Sequence, residues 1–142
     1  MKTVRDILKV KGRDIWSVGP RASVYDAMKI IAETAVGALM VIEGTKLIGI
    51  ISERDYARKV ILQGRSSKNT QVKEIMTTHV MYTWNEQNIE ECMALMTEKH
   101  FRHLPVIDEG QLVGVISISD LVKAIIAEQR FTIEQLERYI SA

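Results

Sequence analysis

The chain has 142 residues, 46% apolar and 26% charged, the composition of an ordinary globular protein long enough for one domain or two very small ones. A net charge of +1 gives no global pull toward nucleic acid or an anionic membrane, and no run of 18 apolar residues is present to span one. The single cysteine, Cys92, excludes an intrachain disulfide; with no apolar h-region in MKTVRDILKVKGRD, the expected location is cytoplasmic.

In chain order, VRDIL (4–8) is followed by a short extended segment, DIWSV (14–18). Ser23 then opens the helix SVYDAMKII, with Asp26 three residues on as in a capping box and Val24, Ala27, Met28 and Ile31 along one stripe. ALMVI and KLIGIIS flank EGT as a hairpin, a second helix (YARKVILQ) follows Asp55, and Gly64 is placed as its C′ residue. GRSSKNTQ (64–71) reads as a linker. The order then recurs: VKEIM (72–76), HVMYT (79–83), and a helix NIEECMALM opened by Asn88 and Glu91, with Ile89, Cys92, Met93 and Met96 as its stripe. HLPVI and QLVGVIS flank DEG, Pro105 is expected at a strand start or an edge, and LVKAIIAEQ follows Asp120. The tail FTIEQLERYISA carries Phe131, Ile133, Leu136, Tyr139 and Ile140, expected as a last helix or turn laid over apolar surface.

This recurrence is a duplication in register. A shift of 65 residues superposes Gly49 on Gly114, Ser52 on Ser117 and Asp55 on Asp120, without a gap from about Asp14/His79 to Arg58/Lys123. VRDIL matches VKEIM at a shift of 68. The expected fold class is α+β: two pseudo-twofold-related units, each a small three-stranded sheet with helices packed on one face. The expected bounds are 1–65 for the first unit, 66–71 for the linker, 72–130 for the second unit and 131–142 for the tail.

The repeated heptapeptides GIISERD (49–55) and GVISISD (114–120) admit two readings. Ser-x-x-Asp is a helix-capping pattern, and a glycine there relieves crowding where another element approaches. Equally, a helix N-terminus favours phosphate, the hydroxyls of Ser52 and Ser117 can donate to it, and Asp55 and Asp120 can accept ribose hydroxyls. Arg54 gives the first copy cationic reach that Ser119 does not give the second, so the two sites are expected to be unequal, unless a cation from the other unit reaches across.

RHLPVIDEGQLVGVISISDLVKAI and VGALMVIEGTKLIGIISERDYARKV resemble the cystathionine-β-synthase-type (CBS) domain, and together the copies resemble a stand-alone tandem pair, the Bateman module. The resemblance implies a non-catalytic regulatory module that binds an adenine nucleotide (AMP, ATP or NAD(H)) in a cleft between the units, forms a homodimer and signals to a separate effector protein. It implies ribose contact by Asp55 and Asp120, and phosphate contact by Ser52, Ser117 and their neighbours Arg54 and Ser119. The base is then expected near Val18, Ala38 and Met40, and near Thr83, Arg102, His103 and Leu104.

Other classes fit less well. His79, His100 and His103 complete no zinc set, and Ser52 lacks the setting of an activated serine, so neither a catalyst nor a metal site is expected. Six basic residues from Arg54 to Lys73 face only Asp55 as an acid, yet no recognition helix or aromatic–basic interleaving accompanies them, which argues against nucleic acid. A ligand-free structural or protein-interaction pair is the alternative.

Overall fold

The computed structural model describes residues 2–141. Helix α1 (Val4–Lys11) precedes β1 (Ser17–Val18), α2 (Val24–Thr34), β2 (Ala38–Glu43), β3 (Lys46–Ser52) and α3 (Glu53–Tyr56), which runs directly into a π-helical turn, Ala57–Ile61. Helices α4 (Val72–Ile75) and α5 (Ile89–Lys99), strands β4 (His103–Asp108) and β5 (Gln111–Ser117) and helix α6 (Ile118–Ser141) complete the chain.

The helices form where capping chemistry meets an apolar stripe. Ser23 Oγ accepts the Asp26 N–H at 3.0 Å at the start of α2, and Asn88 Oδ1 accepts that of Glu91 at 2.7 Å at the start of α5. Each buries the expected face, Val24, Ala27 and Ile31 in one and Ile89, Cys92 and Met96 in the other. The hairpins share one register: Ala38 pairs with Ser52 and Val41 with Gly49, as His103 pairs with Ser117 and Val106 with Gly114. Positive φ at Gly44, Glu109 and Gly110 makes the tight turns, and Gly64 takes the left-handed conformation expected just past the helical turn.

Two compact units result, and they cross the sequence bounds. The β4–β5 unit combines the segment up to Asp14 with the chain from Tyr82 onward, and the β1–β3 unit runs from Ile15 to Met81. Each repeat thus lends its opening segment to the other repeat's hairpin. Val4, Ile7 and Leu8 of α1 join the core of Ile89, Cys92, Met96, Leu104, Val106, Ile116 and Leu121. Val72 and Ile75 of α4 join Val24, Ala27, Ile31, Leu39, Val41, Ile51 and Val60.

Glycine permits both approaches. A Cβ on Gly114 would lie 2.8 Å from Leu8 Cδ2, and one on Gly49 would lie 2.7 Å from Met76 Sδ and 2.9 Å from the Thr77 carbonyl oxygen. Leu8 and Met76 are equivalent residues of the two repeats, so the exchange is reciprocal. Paired main-chain bonds between Ile50 and Thr77 (3.0 and 2.9 Å) further tie the 76–77 segment to β3.

The sheets differ because of one proline. In the first, β1 pairs with β2 in parallel, and the Met40 N–H donates to the Trp16 carbonyl at 3.1 Å. Pro105 stands at the position of Met40 and has no N–H to give. The second sheet therefore has two strands, β4 and β5, plus a single parallel bridge from Thr83 to Val106, where the expectation was three strands. Pro105 itself lies within β4, at its third residue and buried.

The tail also departs from expectation. No glycine or proline interrupts the chain after Val115, so α6 runs unbroken for 24 residues. Phe131, Ile133, Leu136, Tyr139 and Ile140 are each more than half exposed on it rather than laid over the core.

The glycine contacts predict a ranked cost. Gly49→Ala must displace a hydrogen-bonded backbone carbonyl, whereas Gly114→Ala meets only the far end of a leucine side chain. Gly49→Ala is expected to destabilise by about 1–3 kcal/mol and Gly114→Ala by less. Urea unfolding of both variants checks this, and equal costs would contradict the steric account.

Candidate functional site

Both repeated heptapeptides cap a helix. At the first, Asp55 Oδ2 accepts the Ser52 N–H at 2.9 Å and the Ser52 hydroxyl at 3.1 Å, while Ser52 Oγ accepts the Asp55 N–H at 3.2 Å. At the second, Asp120 Oδ2 accepts the Ser117 N–H at 2.7 Å and Ser117 Oγ accepts the Asp120 N–H at 3.2 Å. The next amide in each, Glu53 or Ile118, donates to the carbonyl of Gly37 (3.2 Å) or Arg102 (2.9 Å). Three N–H groups at each helix start are thus engaged inside the unit, which narrows the room for phosphate there. The same chemistry recurs at Thr3/Asp6 and Gln71/Glu74, so capping accounts for the pattern by itself.

What sets Asp55 and Asp120 apart is shelter and a lysine. Their side chains are 14% and 18% exposed, and each faces one ammonium group. Asp55 Oδ1 lies 3.3 Å from Lys59 Nζ, which also donates to the Ile75 carbonyl at 2.9 Å. Asp120 Oδ2 accepts from Lys11 Nζ at 2.7 Å, and the same ammonium donates to the Val115 carbonyl at 2.7 Å. The Lys11 bond and the cap therefore fall on one oxygen. Oδ1 of Asp120 has no hydrogen-bond partner among the described residues.

Lys11 is the residue that sequence reasoning passed over. It lies in the segment KVKGRD that is longer in the first repeat, and only the exchange of opening segments brings it to the second repeat's aspartate. It supplies the cation that Ser119 does not.

The other expected site residues divide by exposure. Ala38, Met40, Thr83 and Leu104 are buried, and the Thr83 N–H and carbonyl are spent on Pro105 and Ile107. Side-chain contact with a ligand is not available to these four as they stand. Val18, Ser52, Arg54, His103 and Ser117 are partly exposed, while Arg102 and Ser119 are exposed. Burial pushes the His103 imidazole below its ordinary value; the Lys11 charge acts the same way, Asp120 opposes it and Arg102 adds to the depression.

Half of the basic run is answered within its unit. Arg65 pairs with Glu74 at 2.6 Å, Lys68 stands 5.0 Å from the centre of the Tyr25 ring, and Lys59 is held by Asp55. Among the described residues, no group of His, Cys, Asp and Glu could hold a metal, and no helix is long and apolar enough to cross a membrane.

Asp120 ionises more readily than an ordinary carboxyl. Burial alone would raise its pKa, but the Lys11 ammonium and the Ser117 N–H together outweigh burial and lower it. Its contribution to stability is present above the unfolded value near 4 and is lost as pH falls through the lower folded value. Asp120→Asn is expected to cost about 1–2 kcal/mol at pH 7, the partly exposed lysine keeping the figure modest. Denaturant unfolding at pH 7, 5 and 3 should find the gap from wild type closing toward pH 3; a gap of constant size would rule out the charge as its origin.

The CBS domain family matches residues 4–61 and 72–127. A mitochondrial CBS domain-containing protein of Arabidopsis thaliana, CBSX3, is 40% identical over 97% of this chain and 71% of its own length. A solved protein with CBS domains from Burkholderia ambifaria MC40-6 is 56% identical, covers 90% of this chain and 96% of its own, and superposes with a TM-score of 0.87. The CBS domain pair of MJ0100, solved with 5′-methylthioadenosine and S-adenosyl-L-methionine, shares the fold at a TM-score of 0.78 and 23% identity, over 90% of this chain and 98% of its own. Two matched repeats, a shared hairpin register and a Ser-x-x-Asp cap in each lead to one conclusion: the chain is a tandem CBS-domain protein, a regulatory, non-catalytic module of the Bateman type.

Proposed function

We propose that this CBS pair binds an adenine nucleotide, AMP, ATP or NAD(H), at its Ser-x-x-Asp motifs and reports the bound state to a separate effector protein, working as a homodimer. The observation that carries the reading is the free Oδ1 of Asp120. A ribose hydroxyl can donate to it without breaking the cap or the Lys11 bond, so one carboxylate serves fold and ligand together. Phosphate then meets Ser117 and Lys11 at this motif, and Ser52, Arg54 and Lys59 at the other. At Asp55 a ribose competes with Lys59 for Oδ1, so the second motif is the better ribose site and the first the better phosphate site. Base contact falls to Val18, Arg102 and His103. The adenosine-type ligands held by the CBS pair of MJ0100 support this choice of ligand class.

Calorimetry with AMP, ATP, NAD+, NADH and S-adenosylmethionine tests the reading. At least one adenine nucleotide should release or absorb heat. Asp120→Asn retains a carbonyl oxygen for the cap but loses the second acceptor, and should weaken that ligand about tenfold to a hundredfold. Asp55→Asn should weaken it less. Silence with every nucleotide would leave a ligand-free interaction module; binding unchanged in both variants would remove the motifs from the site.

A further inference from the structure

Helix α6 carries a second apolar stripe that its own unit does not use. Leu121 is fully buried and Ile125 packs on the core, yet Val122, Ile126, Gln129, Ile133, Leu136 and Ile140 form another line on the surface. Their spacings alternate between four and three residues, the heptad seam of a coiled coil, with Ile126, Ile133 and Ile140 in one row and Val122, Gln129 and Leu136 in the other. At about 100° per residue, the seam lies roughly a quarter-turn around the helix from Leu121. It spans roughly 27 Å at 1.5 Å per residue. Exposure rises along it, from 43% at Val122 and Ile126 through 54% at Ile133 and 57% at Leu136 to 82% at Ile140.

A seam of this kind calls for a helix, and the flanks say which one. Lys123, Arg130 and Glu137 run along one side, with Ile125, Thr132 and Tyr139 along the other. Two copies in parallel would set the charged side of each against the uncharged side of its neighbour and pair nothing. Two copies in antiparallel order pack Ile126 against Leu136, Ile133 against Gln129 and Ile140 against Val122. That order also sets Lys123 opposite Glu137 twice, and lays Tyr139 against Ile125 twice. Ile125 already borders a groove shared by Glu90 of α5 with Glu128, Gln129, Thr132 and Ile133 of α6, which the tyrosine would cover. The like-charged Arg130 pair falls on the axis and opposes association.

We propose that α6 of one copy pairs antiparallel with α6 of a second copy along this seam, so that residues 122–140 are the dimer interface. The inference rests on the homodimer part of the proposed function and assigns it a surface. Sedimentation of the full chain tests it. Wild type should sediment as a dimer, and Ile133→Asp or Leu136→Asp, both on exposed positions that leave the cores intact, should weaken dimerisation at least tenfold. Glu137→Lys should weaken it as well, and adding Lys123→Glu should restore it, because only antiparallel order places these two opposite each other. Arg130→Gln should tighten it. A wild type that is monomeric at all concentrations would overturn the homodimer and the seam together. A dimer indifferent to both aspartate variants, or a double charge swap without rescue, would overturn the seam alone. Nucleotide binding, measured separately, stands or falls by its own variants.

Discussion

The fold depends on the close approach of each repeat's opening segment to the other repeat's second hairpin strand. Gly114 admits Leu8 and Gly49 admits Met76 at separations a Cβ would forbid. A unit of this size cannot close a core from one hairpin and one long helix, so the borrowed turn is a needed wall. Val4, Ile7 and Leu8 build it in one unit, and Val72 and Ile75 in the other. The glycine that looks like part of a binding motif in the sequence is therefore first a packing device.

The exchange also decides the electrostatics of the motifs. Each aspartate has one lysine, but the lysines come from different places. Lys11 travels in on the borrowed helix and holds both the Val115 carbonyl and Asp120. In the other unit the borrowed turn supplies only the Ile75 carbonyl, and Lys59, from the π-helical turn after the motif, holds that and Asp55. Lys11 lies in the stretch that is longer in the first repeat and so has no counterpart in the second, and Ala124 stands where the repeat would put a second Lys59. Two copies of one sequence motif thus acquire the same ion pair by separate routes; it engages both oxygens of Asp55 together with the cap, and leaves Oδ1 of Asp120 open.

Much of this was legible in the sequence because it is local. Cap residues, hairpin register and the left-handed Gly64 follow from short-range rules that hold wherever the unit folds. The loss of the third strand from the second sheet is not legible although its cause, Pro105, stands in the sequence: the missing N–H matters only once Met40 is known to spend its own on Trp16. The partner of α1 was not legible. An amphipathic turn carries a stripe but no address, and the nearest repeat in the chain is the one it leaves. The expected inequality of the two motifs starts from Arg54, which is adjacent in sequence to its aspartate, whereas Lys11 stands more than a hundred residues from the aspartate it serves.

Asp120 sits in the first turn of α6, and α6 is one uninterrupted helix as far as Ser141. The oxygen open to a ribose and the proposed seam therefore belong to a single rigid element, one at its start and the other over the rest of its length. A ligand alters pairing at the far end only if it binds the two arrangements of that helix with different affinity. Lys11 supplies a physical source for such a difference. It ties the start of α6 to α1 and to β5, and phosphate arriving beside Asp120 competes for that same ammonium. Whatever loosens Lys11 frees the first turn of α6 from its two anchors, and reciprocity then requires that pairing along the seam alter nucleotide affinity by the same factor.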